Sequence, residues 1–144
     1  MLTKIYSDVV KKFAGLKDIS LLVMRFILAY GFFEPAKMKL TNMENITQWF
    51  ESLGYPAPGL SALLAAITEA SGVILLFFGL GTRIIAIPLM FTMVVAITTV
   101  HWENGFAAGD NGIEIPLYYL IMLFGLMAFG SGKYSLDHIL QRKK

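Results

Sequence analysis

The chain has 144 residues, 56% hydrophobic and 15% charged, with no cysteine, a net charge of +2 and a mean hydropathy of +0.64. Soluble domains carry about 25% charge, so a chain this short has more apolar surface than one water-facing core can hide, and aromatics at 13% exclude disorder. Without thiols there are no disulfides, thiolate metal sites or iron–sulfur ligands, and the charge is too small to argue for nucleic acid.

In chain order, residues 1–18 read as an interfacial helix. Leu2, Ile5, Tyr6, Val9, Val10, Phe13 and Leu16 recur at helical spacing, with Thr3, Lys4, Ser7, Asp8, Lys11 and Lys12 opposite. Such a segment lies along a membrane surface and is not a signal peptide; its lysines suit an anionic leaflet. Four apolar stretches follow, at about 19–37, 57–80, 82–102 and 112–129. Crossing ~30 Å of hydrocarbon takes about 20 helical residues. These runs are too long for strands, and none shows the alternation of a β-barrel. The expected fold is an all-α membrane protein, a four-helix transmembrane bundle.

The connections carry their own signals. Between the first two spans, Met43, Ile46, Trp49, Phe50 and Leu53 form an apolar stripe, and Thr41 with Glu44 fits a capping box. Gly54, Pro56 and Pro58 end that helix. Gly79 and Gly81 leave room only for a tight turn, so the second and third spans form an antiparallel hairpin, and Pro88 is expected to kink the third. In the basic tail, 131–144, the run SLDHIL opens with an N-cap serine and reads as a short surface helix. No internal repeat is present.

Basic residues set the orientation. With both termini on one side, that side holds Lys4, Lys11, Lys12, Lys17, Arg83, Lys133, Arg142, Lys143 and Lys144, and the other only Lys37 and Lys39. The positive-inside rule then predicts cytoplasmic N and C termini. The opposite face carries Glu44, Glu51, Glu103 and Asp110.

Ionisable residues within spans are the candidate site, because each costs about 2.5–3.5 kcal/mol at a helix centre. Glu69 lies mid-span, with Ala62, Ala65, Ala66, Gly72 and Val73 on its face, which predicts helix packing there. Arg25 is close enough along the first span for its side chain to reach Glu69's level. The two make either a charge pair fixing helix register or a proton or ligand site. At the outer end Glu34, Lys37, His101, Glu103 and Glu114 gather at similar depth. A histidine with carboxylates there suits a metal or proton exchange with a quinone head group; alternatively His101 and Trp102 simply anchor a helix end. Glu114 sits either at N3 of a helix capped by Asn111, or on the loop if Pro116 is the first helical residue. The eight methionines read as packing, not a copper path. His138 beside Asp137 reads as solvated. No phosphate loop or serine elbow is present, and no second buried histidine completes a haem pair.

MRFILAYGFFEPAKM, SLGYPAPGLSALLAAITEASGVILLFFGLGTRIIAIPL, TTVHWENGF, NGIEIPLYYL and GSGKYSLDHIL, in this order, resemble the DoxX family of membrane proteins from about residue 19 onward. The resemblance implies a compact four-helix bundle with polar positions at Arg25, Lys37, Glu69, His101 and Glu114. Pro35-Ala36 before Lys37 departs from the glycine-led stretch of many members. Some members resemble the small membrane subunit of a thiosulfate:quinone oxidoreductase, and others are associated with oxidative-stress or catechol-detoxification systems.

These readings together predict a bacterial inner-membrane, multi-pass protein that serves a redox system as a quinone-interacting or accessory subunit. No cofactor beyond a quinone is implied, and the electron carrier would be a soluble redox partner subunit or bound cofactor. A homo-oligomer is a further expected association, besides the lipid bilayer. The rival readings are a small-solute transporter using Glu69 at the midplane, and a non-catalytic assembly factor.

Overall fold

The computed structural model describes residues 6, 7, 9, 10 and 13–142. The amphipathic helix expected at the N-terminus falls partly on residues 1–5, 8, 11 and 12, outside the described residues; within it Tyr6, Val9, Val10, Phe13 and Leu16 are exposed. Helix α1 is Lys17–Thr41, α2 Met43–Ser52, α3 Pro58–Phe78, α4 Thr82–Ala96, α5 Glu114–Phe129 and α6 Leu136–Gln141. Among the described residues there is no strand.

Helix α1 runs four residues beyond the expected span and takes Pro35 without breaking. The expected capping box at Thr41 does not form. Thr41 is the last residue of α1, and its hydroxyl donates back to the Lys37 carbonyl at 2.9 Å, the local bond that competes with capping. Helix α2 therefore starts after Asn42 and buries Ile46 and Phe50 of the expected stripe.

Pro58 opens α3, where its missing N–H costs nothing. The helix ends on Gly79 at φ +66°, with the Leu80 N–H donating to the Leu75 carbonyl at 2.9 Å. This left-handed closure, followed by Gly81 at φ +58°, makes the tight hairpin read from the sequence. Pro88 likewise sits inside a continuous α4. The helical path goes on through a wide turn at Ile97–His101 and a narrow one at Trp102–Asn104, an irregularity of the kind that re-aims side chains near sites.

Helix α5 begins at Glu114 itself. Asn111 lies outside it, left-handed at φ +59°, so the expected Asn111 cap is replaced by a folded turn. The C-terminal cap stands: Ser135 Oγ accepts the His138 N–H at 3.3 Å.

Three of these helical stretches, Lys17–Thr41, Pro58–Phe78 and Thr82–Asn104, are long and apolar enough to cross a membrane. Helix α5 is apolar but has 16 residues, about 24 Å of rise. The surface agrees with lipid as the solvent. Ile84 is 76% exposed and Phe91 69%, while Leu28, Leu76, Leu89, Leu123 and Leu126 fill the interior. Helix α1 packs along α3, and α4 along α5. Gly72 lets Leu89 approach so closely that a Cβ there would lie 2.8 Å from it, the small-residue contact that holds helices where water cannot drive association.

Candidate functional site

One face of α3 is buried through Ala62, Ala66, Glu69, Gly72 and Leu76, a run of small residues interrupted by a carboxylate. Glu69 is not left alone. Lys39 Nζ donates to both carboxylate oxygens, at 2.8 and 3.1 Å, and both side chains are nearly buried. A charge sequestered this way survives only if paired and hydrogen-bonded. The expected Arg25–Glu69 pair is therefore corrected to Lys39–Glu69.

The reason is register. In the antiparallel pair α1–α3, Arg25 lies opposite the C-terminal end of α3 and donates to the Leu76 carbonyl at 3.2 Å. Glu69 is seven residues away from Leu76, roughly 10 Å along the helix. Arg25 is fully buried and also donates to the Tyr134 carbonyl. It ties the end of α3 to the chain that follows α5. Asp137 works beside it: its carboxylate accepts the Gly81 and Thr82 N–H groups at 2.8 and 3.2 Å, capping α4 from a distant segment. Arg25 and Asp137 thus secure the end of the bundle where α1 begins and α3 turns into α4.

Lys39 and Glu69 line a cavity of about 550 Å³. Its walls come from α2, α3, α4 and the wide turn, with Trp49, Phe50, Leu64, Phe91 and Val95 among the apolar groups and Thr68 and Thr92 among the polar ones. Tyr55 stacks on Phe50 with ring centroids 4.6 Å apart and hydrogen-bonds Thr99 across the cavity rim. The arrangement is an apolar slot holding one cation that donates and one anion that accepts.

The other expected site residues go elsewhere. Lys37 is exposed and pairs with Glu34, at 3.7 Å. His101 Nδ1 donates to the Asn111 carbonyl at 2.7 Å, since a carbonyl can only accept. Glu114 accepts the Ala108 N–H at 2.9 Å and the Tyr118 hydroxyl at 3.2 Å. His101 and Glu114 thus clamp the two ends of the 101–114 loop, and neither lines the cavity. Among the described residues no group of three His, Asp or Glu could hold a metal ion.

Lys39 is the residue that sequence reading missed as part of the site. Its signal was present: Arg25, Phe32 and Lys39 are spaced by seven, which keeps them on one helix face.

A bundle of apolar helices around a buried ion pair defines the class as a small polytopic membrane protein. The DoxX family model matches residues 20–102, more than half the chain. The chain belongs to the DoxX family. It is 33% identical over 132 residues to an uncharacterized protein of Haemophilus influenzae, covering 86% of this chain and 85% of that one. It is 32% identical over 120 residues to a Bacillus subtilis protein named "Putative oxidoreductase CatD", covering 83% and 86%. It is 32% identical over 130 residues to the inner membrane protein YphA of Escherichia coli, covering 87% and 93%. No solved structure matches. Family and apolar helices together make this a multi-pass inner-membrane protein.

Proposed function

We propose that the protein is a quinone-binding membrane subunit of a redox system. The observation that carries this reading is the apolar cavity of about 550 Å³ with Lys39 and Glu69 in its wall. Ligand pockets run from about 300 to 1,000 Å³ and are mainly apolar with a few converging polar groups. A quinone ring fits that description. Lys39 would donate a hydrogen bond to a quinone carbonyl oxygen, and Glu69 would take up a proton released on quinol oxidation or, once protonated, give it back on reduction. A bound quinone would supply two-electron chemistry, with electrons from a partner subunit, while this chain's own residues would bind, orient and handle protons. A relative named as an oxidoreductase supports the same direction.

In this reading α5 completes a four-helix crossing, its shortness offset by the adjoining 101–114 loop, and both termini face the cytoplasm under the positive-inside rule. The cavity then opens toward the periplasmic side. A carrier would have to expose Glu69 to both sides, and the tightly filled leucine core between the cavity and the other end favours a one-sided binding site.

The test is quenching of Trp49 fluorescence by a short-chain ubiquinone or menaquinone analogue, in purified protein with Trp102→Phe. Quenching should saturate, and Lys39→Met should weaken it about tenfold, the effect of losing a charged hydrogen bond of roughly 1.5 kcal/mol. Linear, non-saturating quenching unaffected by Lys39→Met would sink the proposal.

A further inference from the structure

A second cavity, of about 670 Å³, opens at the opposite end of the bundle, where α1 begins, α3 turns into α4 and the chain leaves α5. Its acidic groups are already engaged. Asp18 accepts the Lys133 N–H at 3.0 Å and meets Lys133 Nζ at 3.5 Å, and Asp137 is the cap on α4. Arg83 and Lys17 also line it, and among the described residues neither has a carboxylate within 4.0 Å. His138 completes the polar wall.

The floor is built, not incidental. Gly130 and Gly132 sit at φ +81° and +76°, with Ser131 buried between them. A Cβ on Gly130 would lie 3.1 Å from Arg83 Nε, and one on Gly132 3.3 Å from Leu21. Arg83 therefore lies directly over the Gly130 backbone, while Lys17 is held 5.3 Å from the centroid of the Phe129 ring. Two cations are thus positioned around a polar turn, each without a carboxylate within 4.0 Å among the described residues.

The rim is apolar. Ile84 and Phe129 line the same cavity and are among the most exposed apolar side chains of the molecule. They continue the lipid-facing surface down to the cationic floor. We infer that this cavity binds the phosphodiester head group of an anionic phospholipid, with the phosphate between Arg83 and Lys17 and the acyl chains along Ile84 and Phe129. A soluble phosphate would have no use for the apolar rim. A zwitterionic lipid would bring an ammonium group into a pocket whose free charges are already positive. The inference rests on the helices crossing a bilayer and is independent of the quinone reading.

Native mass spectrometry of the full chain in detergent tests it, using phosphatidylglycerol and phosphatidylcholine with matched acyl chains. Phosphatidylglycerol should stay bound and phosphatidylcholine should not. Arg83→Gln and Lys17→Gln should each weaken phosphatidylglycerol about fivefold, as expected for one basic side chain at an anionic surface. Arg83→Lys, which keeps the charge, should retain most of the binding and guards against a folding defect. Equal retention of both lipids, or an unchanged affinity in the Arg83→Gln/Lys17→Gln double variant, overturns the proposal. So does thermal stabilisation by inorganic phosphate equal to that by phosphatidylglycerol, which would assign the site to a soluble anion.

Discussion

Lys37 and Lys39 stand two positions apart on α1, yet one is exposed beside Glu34 and the other pairs with buried Glu69. Two residues on a helix are about 200° of rotation, enough to carry a side chain from the surface to the interior. Removing one partner of a buried pair leaves the other charge uncompensated, which costs about 3–5 kcal/mol, whereas replacing both with apolar groups is often neutral. Glu69→Leu alone should therefore destabilise the protein by about 3 kcal/mol in detergent denaturation, and Lys39→Met/Glu69→Leu should recover most of that loss. Additive losses in the double variant would show that the pair is not coupled. At this scale the sequence revealed Glu69 as a buried acid but not its partner. Residue type names what needs neutralising, and the facing helix decides who does it.

Helices were the most legible level. Apolar length marked the three long helices, Ser135 marked the start of α6, and the Gly79–Gly81 turn marked the hairpin. Two expected caps, Thr41 and Asn111, failed because each side chain or backbone found another local arrangement. Nothing local pointed to Asp137 capping α4, because its partners lie more than fifty residues upstream. Asp137→Ala should cost about 1 kcal/mol, the usual loss of an N-cap, and the loss should appear as faster hydrogen exchange at the Gly81 and Thr82 amides. Unchanged exchange there would show that Asp137 does not cap the helix.

For the whole molecule, the absence of native cysteine makes topology directly measurable. Glu44→Cys in α2 and Tyr134→Cys after α5 lie at opposite ends of the bundle. A membrane-impermeant maleimide should label position 44 in cells with a permeabilised outer membrane, and position 134 only after the inner membrane is opened. Labelling of both from the same side would contradict a bundle that crosses with both termini in the cytoplasm.

Membrane class, the three long apolar helices and the hairpin were determined by the sequence itself, because hydrocarbon thickness and the need to satisfy backbone hydrogen bonds act on each segment separately. The Lys39–Glu69 pair, the Arg25 tie to the tail and the loop-clamping roles of His101 and Glu114 were decided only by tertiary structure. The pair and the tie depend on the register between segments far apart in the chain, the clamps on how the 101–114 loop folds back on itself, and small residues such as Gly72 let neighbouring helices meet closely.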